Sequence, residues 1–272
     1  MIPKISVIIP VYNSGLTLKA CLESLQQQSL RAEIIVVDDG SVDNTQTIVK
    51  EFSQVKLFSQ VHSGPGAARN LGAKKATGEI LVFIDSDMTF DQDFLSDLIE
   101  PIVKKQARGS WSSNELVSNW DNLWARCWNY NQNRVEPKMT GSPGQHRVFR
   151  AILKSEFMRV QGFDSVGYND DWSLVDKLGY QPVETRAKFY HQNPGDLILT
   201  FNHSRWLAKR KYKFGFLGTI FTIFKSNLAF SVLIGFFQVV KFKVPQMLIF
   251  RLVYDLGVTL GALENLCFGS YY

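Results

Sequence analysis

Hydrophobic and polar residues alternate along the first hundred positions in a pattern typical of buried strands joined by amphipathic helices. Short β-branched apolar runs predict strands buried on both faces at residues 5–11, 34–37 and 80–84, and a weaker run predicts a strand at residues 55–58. Between and after them, apolar residues recur every three or four positions and predict helices over residues 17–28, 45–52, 67–76 and 94–103. Asp43 and Gln46, three apart before the second helix, have the spacing of a capping box.

This alternation predicts an α/β fold: a mostly parallel central sheet with helices on both faces. In such a sheet, ligands bind beyond the carboxyl ends of the strands. Polar clusters follow three of the four predicted strands, at residues 10–14, 38–41 and 85–87. Because these ends meet at one edge, the sequence predicts a ligand site there.

The side chains at this edge favour a metal-bound phosphate over a phosphate held by glycine-rich loops. Neither G-x-G-x-x-G nor G-x-x-x-x-G-K-[ST] occurs, and the edge instead offers Asp38, Asp39, Asp85 and Asp87. Carboxylates hold Mg²⁺ or Mn²⁺, which bind phosphate oxygens in turn. A lone Asp-x-Asp is common in turns, so its place beside two other polar strand ends favours the metal site.

Four sequence blocks then make the chain recognisable. They are Ser6–Asn13 (SVIIPVYN), Val37–Thr45 (VDDGSVDNT), Gly64–Gly72 (GPGAARNLG) and Gly78–Asp87 (GEILVFIDSD). In order and spacing they resemble the inverting, nucleotide-sugar-dependent glycosyltransferases of family two, which have the GT-A fold. The resemblance is dense over about residues 4–105 and looser to about residue 215.

The resemblance implies roles within the predicted edge. Tyr12 would stack on the nucleobase, Asp39 would accept hydrogen bonds from the base, and Arg69 would lie near the phosphates. Asp85 would contact the ribose side and contribute to the metal site, where Asp87 would ligate the Mn²⁺ or Mg²⁺ that bridges the diphosphate. The predicted nucleotide-sugar site also includes Pro10, Asn13, Asp38 and Ser86.

A later segment, Asn169-Asp170-Asp171, resembles the Glu-Asp pair of the family, whose Asp is the catalytic base. We therefore expect Asp171 to be the base and Asp170 its supporting carboxylate. An acceptor hydroxyl is a poor nucleophile and requires such a group to take its proton. A single displacement would invert the anomeric carbon.

Arg205 lies in Asn202-His203-Ser204-Arg205-Trp206, which faintly resembles the Q-x-x-R-W motif of processive synthases. Asn replaces the Gln and the long membrane spans are missing, so we expect transfer of one sugar, with Arg205 as a diphosphate contact. His203 is predicted as a third metal ligand and His191 is an alternative. Trp120, Trp124 and Trp128 indicate either an acceptor surface or a helical core stripe.

Composition and charge indicate that any membrane contact is made by the C-terminal tail, residues 205–272. The chain has 272 residues, of which 45% are hydrophobic, and a net charge of +5. Residues 205–272 hold nine of the basic residues against two acidic ones. This uneven charge argues against nucleic acid as a partner, and three scattered cysteines argue against a disulfide scaffold. The longest uncharged run, Ser226–Val240, is too short to span a bilayer.

The tail is therefore predicted to form amphipathic helices that lie on an anionic membrane surface; a helical cap or an oligomer interface is the alternative. We expect three parts: a nucleotide-sugar half (1–108), an acceptor and base half (109–204) and the tail (205–272). The predicted acceptor is lipid-linked or a glycan, on the cytoplasmic face of the cell membrane, and the oligomeric state is open. A nucleotidyltransferase and a non-catalytic nucleotide sensor remain alternatives.

Overall fold

The computed structural model describes residues 3–139, 147–164, 170–209, 212 and 214–268. The chain forms two compact units, one of Met1–Leu116 with Thr140–His191 and one of Val117–Met139 with Gln192–Tyr272. The predicted catalytic pair, Asp170 and Asp171, lies at the start of a described range. Asp170 and Asp171 begin a helix, but their side chains lie outside the described residues. The three-part functional division stays a prediction.

A seven-stranded sheet forms the centre of the first unit, in the order β3-β2-β1-β4-β8-β6-β9. Its strands are β1 (Ile5–Val11), β2 (Glu33–Asp38), β3 (Val55–Ser59), β4 (Ile80–Phe83), β6 (Gly109–Ser112), β8 (Ala151–Leu153) and β9 (Val183–Thr185). The first four are parallel, as predicted, and β8 is antiparallel to both of its neighbours. A smaller sheet has the order β5-β10-β7, from β5 (Met88–Phe90), β7 (Glu115–Val117) and β10 (Phe189–His191).

Helices cover both faces of the large sheet, which confirms the predicted fold class. They are α1 (Leu18–Gln26), α2 (Thr45–Lys50), α3 (Pro65–Lys75), α4 (Phe94–Val103), α6 (Lys154–Arg159) and α7 (Asp170–Leu178). Successive β1 residues face opposite cores. Val7 and Ile9 pack with apolar residues of α1, α2 and α4, whereas Ile8 packs with those of α3, α6 and α7.

The approach of α3 to β1 depends on a glycine. A Cβ at Gly72 would lie 2.5 Å from Cγ2 of Ile8, so this helix reaches the strand only without a side chain there. Gly64 precedes α3 with φ +90°, and Pro65 begins the helix. The Gly64–Gly72 block thus fixes where α3 starts and how closely it packs.

One local prediction is wrong. The Asp43 side chain accepts hydrogen bonds from the backbone and hydroxyl of Thr45, but the Gln46 amide does not reach back to close a capping box. It donates instead to Oδ2 of Asp38 at the end of β2. A buried carboxylate within reach is a stronger acceptor for this amide than a helix terminus.

The second unit is helical, as predicted for the tail. It contains α5 (Leu123–Asn131), α8 (Leu197–Leu207), α9 (Gly215–Lys225), α10 (Leu228–Phe242) and α11 (Met247–Phe268). Cys127, Trp128, Met247 and Phe250 form its buried centre. Trp128 is thus a core residue, whereas Trp120 precedes α5 and does not extend a helical stripe.

Two glycines let α11 pack backbone to backbone against α8. A Cβ at Gly261 would lie 2.0 Å from the carbonyl oxygen of Arg205, and one at Gly257 would lie 2.1 Å from Oγ of Ser204.

Within the described residues, no single helix is both long and apolar enough to cross a membrane. The pair α9 and α10 meets that criterion together, with a 61° bend between the two helices.

Candidate functional site

The carboxyl ends of β1, β2 and β4 carry the predicted polar clusters, and hydrogen bonds tie them together. Asn13 has a left-handed backbone (φ +50°), and its backbone N–H donates to Oγ of Ser41 at 2.9 Å. Its side-chain oxygen accepts from the backbone of Val42 at 2.9 Å. Ser86, after β4, donates to Oγ of Ser14 at 2.9 Å. These bonds connect segments that the sequence separates by up to 72 positions.

Asp39 is buried and organises the loop that follows β3. Its Oδ1 accepts from the Gln60 amide at 2.7 Å and from the backbone of Ser63 at 2.8 Å. Its Oδ2 accepts from the backbone of Gly64 at 2.8 Å and lies 2.8 Å from Nδ1 of His62. Four donors therefore fill the acceptor positions of this carboxylate. Asp38 is likewise buried and accepts from the backbone of Ser41 at 3.0 Å.

The Tyr12 ring stacks on the His62 ring. The ring centroids lie 4.1 Å apart and the planes differ by 21°. The Tyr12 side chain is 48% exposed, in contrast to the buried strand that precedes it. An aromatic ring with this exposure at a strand end offers a flat surface for another ring.

Asp85 is held by two arginines. Nη2 of Arg69 lies 2.7 Å from its Oδ1, and Nη1 of Arg150 lies 3.4 Å from its Oδ2. Burial by itself would raise the pKa of Asp85, but the two guanidinium groups outweigh it and hold that pKa below its usual range. Asp85 is therefore ionised at neutral pH.

Asp87 belongs to a chain of three side chains that links β5, β10 and β7. Nε2 of His191 lies 2.9 Å from Oδ2 of Asp87, and Nδ1 of His191 lies 2.8 Å from Oε1 of Glu115. Carboxylates at both ring nitrogens favour the imidazolium form. Burial lowers the pKa of His191, but the two carboxylates outweigh it and raise that pKa well above its usual value.

The other oxygen of Asp87 fits a cation. Its Oδ1 is buried and has no hydrogen-bond partner among the described residues. An unpaired carboxylate oxygen is the ligand that Mg²⁺ and Mn²⁺ prefer. Within the described part of the chain, however, no group of three His, Cys, Asp or Glu side chains is arranged to hold a metal. Asp87 therefore fits as one ligand of a partly hydrated ion. Both carboxylate oxygens of Asp85, the other aspartate predicted for the metal site, face arginines.

Two predicted residues, Arg205 and His203, lie on α8 in the second unit. Arg205 forms an ion pair with Glu264 of α11. The His203 ring lies 4.9 Å from the Trp128 ring and 5.7 Å from the Trp206 ring. Their roles at the diphosphate and the metal stay predictions, as do those of the other site residues.

Sequence reasoning missed His62, Glu115 and Arg150 as members of the site. His62 follows a weak strand, and nothing in its local pattern marks it. Glu115 and Arg150 belong to a three-residue strand and to a turn before one, too short to show a periodicity. Long-range pairing brings them to the aspartates.

The sequence profile of glycosyl transferase family 2 matches residues 6–163 of this chain. The chain belongs to glycosyl transferase family 2. Apart from β9 and the first residue of β1, the match covers the strands of the large sheet, and it includes every aspartate of the strand-end cluster. Predicted membership in this family is thereby confirmed.

The curated relatives that match this chain are also named as glycosyltransferases. The chain is 41% identical to the glycosyltransferase GlyA of Streptococcus pneumoniae over 109 residues, which are 38% of this chain and 16% of that protein. It is 34% identical to the uncharacterised glycosyltransferase YibD of Escherichia coli over 130 residues, 44% of this chain and 38% of that protein. The match to an uncharacterised Haemophilus influenzae glycosyltransferase has 27% identity and covers 70% of this chain and 77% of that protein. The chain thus spans well under half the length of GlyA and YibD.

A solved structure shows the same fold. TarS 1–349 of Staphylococcus aureus, crystallised in complex with UDP-GlcNAc, superposes with a TM-score of 0.58 at 19% identity. The superposition covers 99% of this chain and 93% of that one. At this identity the likeness establishes the fold.

Proposed function

We propose that this chain transfers one sugar from a nucleoside-diphosphate sugar to an acceptor hydroxyl, with inversion at the anomeric carbon. The observation that carries the proposal is the gathering of an exposed aromatic ring, Tyr12, and two carboxylates, Asp85 and Asp87, at one strand edge of a family 2 fold. That TarS was crystallised with UDP-GlcNAc supports a donor of this class.

A divalent cation, Mn²⁺ or Mg²⁺, completes the donor site in this proposal. Bound there, it would offset the negative charge that develops on the departing diphosphate. Asp87 would hold it through the buried Oδ1, while the hydrogen bond from His191 to Oδ2 fixes the carboxylate. Arg69 and Arg150 keep Asp85 ionised for the ribose side. His203 and Asp85 remain predicted further ligands.

Asp171 is the proposed catalytic base, and Asp170 its supporting carboxylate. Both belong to the first turn of α7, which begins at Asp170 and packs on the large sheet through Leu174. The Asp171 carboxylate would take the proton of the acceptor hydroxyl as the new bond to the anomeric carbon forms. Arg205 would contact the diphosphate.

The proposed acceptor is lipid-linked or a glycan at an anionic membrane surface, on its cytoplasmic side. Apolar side chains that are more than half exposed concentrate on α9 and α10: Phe216, Leu217, Phe221, Phe224, Leu228, Leu233, Phe236, Phe237 and Val240. An exposed apolar surface of this extent is rare on soluble monomers. Lys225 and Lys241 lie over phenylalanine rings at the ends of these helices, an arrangement that suits anionic lipid headgroups.

The test of the proposal is the product released from a nucleotide sugar. Purified chain is incubated with UDP-sugars, Mn²⁺ and membrane lipid extract, and the nucleotide products are separated by ion-exchange chromatography. Glycosyl transfer predicts nucleoside diphosphate together with an inverted glycoside. In a parallel incubation with UTP and a sugar 1-phosphate, pyrophosphate release would instead identify a nucleotidyltransferase. A retained anomer in the glycoside formed from the UDP-sugar would contradict inversion.

Variants of α7 make this test specific to the base. Asp171→Asn is expected to lose at least a hundredfold in turnover, because the acceptor proton has no recipient. Asp176→Asn, an exposed acid on the same helix, is the matched control and is expected to retain turnover. Equal turnover in both variants would remove Asp171 from the mechanism.

A further inference from the structure

The side chain of His62 makes the two contacts that the family resemblance assigns to a nucleobase. It stacks on Tyr12, with centroids 4.1 Å apart. Its Nδ1 lies 2.8 Å from Oδ2 of Asp39. A flat ring that stacks on this tyrosine and donates an N–H to this aspartate already occupies the position.

The partners of Nδ1 determine which nitrogen carries the proton. Besides Oδ2 of Asp39, Nδ1 lies 3.0 Å from the backbone carbonyl oxygen of the same residue. Both atoms only accept hydrogen bonds, so Nδ1 must be protonated and donate. His62 therefore presents to Asp39 the same kind of group as the ring N–H of an imide base.

Asp39 has no acceptor position left for a base while His62 is in place. Its other three donors are the Gln60 amide and the backbone N–H groups of Ser63 and Gly64. Two of these donors are backbone N–H groups of the loop, and Gln60 donates to Oδ1, whereas Nδ1 of His62 lies at Oδ2. The His62 ring is the donor on the Tyr12 side, and its side chain is 31% exposed, so it can rotate outward.

We infer that His62 occupies the nucleobase position of the free protein, and that the donor's base is a uracil-type ring which displaces it. This inference rests on the proposed nucleotide-sugar function and names its base class. Uracil has a ring N–H that replaces Nδ1–H against Asp39. In cytosine the corresponding ring nitrogen is a hydrogen-bond acceptor. It would face the Asp39 carboxylate, which also only accepts, so cytosine is disfavoured. The room vacated is that of one small ring, which favours a pyrimidine over a purine.

Displacement of His62 reduces the apparent affinity for the nucleotide, because only the fraction of molecules with His62 rotated outward can bind. Removal of the ring should therefore tighten binding. His62→Ala is expected to bind UDP roughly tenfold more tightly than wild type by isothermal titration calorimetry with Mg²⁺. If His62 were instead a supporting wall of the site, the same substitution would weaken binding, and that result would overturn the inference.

Gln60→Ala is the matched control, because it removes a donor from the same carboxylate without touching the stack on Tyr12. It is expected to bring no gain in UDP affinity. A gain equal to that of His62→Ala would mean that a vacant acceptor on Asp39 suffices, and the inference would fail. In wild type, UDP should bind at least tenfold more tightly than CDP or GDP, and equal affinities would contradict the base class.

A direct readout separates this inference from the proposed function. In ¹³C,¹⁵N-histidine-labelled protein, the His62 ring signals are assigned by their loss in His62→Ala. Saturating UDP with Mg²⁺ should shift them to values of a solvent-exposed ring. UDP binding without such a shift would overturn the inference and leave the function intact. If neither wild type nor His62→Ala binds a nucleoside diphosphate, both fall; binding by the variant alone would support the displacement.

Discussion

Asp87 and His191, which are 104 positions apart in the sequence, form a hydrogen bond of 2.9 Å between Oδ2 and Nε2. The antiparallel pairing of β5 with β10 sets His191 opposite Met88, the residue after Asp87. The bond fixes one oxygen of the carboxylate and leaves Oδ1 buried without a partner among the described side chains. Asp87 is thus oriented by the fold before any ligand binds.

The buried pair of Arg69 and Asp85 should contribute measurably to stability. Arg69→Met is expected to lower the free energy of unfolding by about 2 kcal/mol at pH 7, because it removes the nearer of the two arginines from a carboxylate that is only 31% exposed. Urea denaturation measures the loss. Arg186→Met is the matched control, since Arg186 is 79% exposed in its pair with Asp97 and should matter little. Equal effects would contradict the account.

Most of the nucleotide half of the fold could be predicted because most of its strands and helices have a strong local pattern. β1, β2 and β4 are apolar runs rich in β-branched residues, β3 is a weaker run, and α1 and α4 have continuous apolar stripes. By contrast, β5, β7, β8 and β10 each have three residues and show no periodicity. Only tertiary pairing defines them.

Glu33 should make the protein sensitive to acid. Burial alone would raise its pKa, but hydrogen bonds from Lys56, Ser6 and Thr77 lower it to about 2. A lowered folded pKa means that the stabilisation is complete above the unfolded pKa of about 4.5 and is lost as the pH falls toward 2. Glu33→Gln is therefore expected to lose on the order of 2 kcal/mol at pH 7.

Urea melts of wild type and Glu33→Gln between pH 7 and pH 3 test this expectation. The difference in unfolding free energy should shrink as the pH falls below 4.5. Glu23→Gln, an exposed glutamate on α1, serves as the control and should differ little from wild type at any pH. A Glu33→Gln penalty that stayed constant with pH would show that the carboxylate charge is not involved.

The packing of α8 on α11 depends on the absence of a side chain at Gly261. Gly261→Ala would place a methyl group 2.0 Å from the Arg205 carbonyl oxygen and is expected to destabilise the second unit by about 3 kcal/mol. Gly195→Ala is the matched control, because the nearest atom to its Cβ would be 3.5 Å away. If circular dichroism showed the same melting temperature for both variants, the close helix contact would be wrong.

The exposed apolar surface of α9 and α10 should bind lipid. Phe236→Ser combined with Phe237→Ser is expected to reduce pelleting with anionic vesicles about tenfold or more, because two large apolar side chains no longer enter the interface. Val61→Ser, at an apolar position of the first unit that is more exposed than either phenylalanine, should leave pelleting unchanged. A wild-type chain that stays in the supernatant would contradict the proposed membrane partner.

The site residues that follow the predicted strands could be predicted from the sequence, but the residues that hydrogen-bond to them could not. Tyr12, Asp39, Arg69 and the Asp85–Asp87 triplet lie in sequence blocks with a recognisable order. Their partners come from distant positions: 76 residues separate His191 from Glu115, and 65 separate Arg150 from Asp85. A linear pattern contains no signal for such pairs.

Thermal unfolding tests whether Asp87 holds a divalent cation for a nucleoside diphosphate at the donor site. Melting temperatures are measured with UDP, CDP, ADP and GDP, with and without Mn²⁺, for wild type, Asp87→Asn and the exposed control Asp93→Asn. At a hundred times its Kd a ligand stabilises the folded state by about 2.7 kcal/mol. A donor site of this kind predicts a Mn²⁺-dependent rise with at least one nucleotide in wild type and Asp93→Asn that Asp87→Asn lacks. No rise with any nucleotide, or an equal rise in Asp87→Asn, would contradict it.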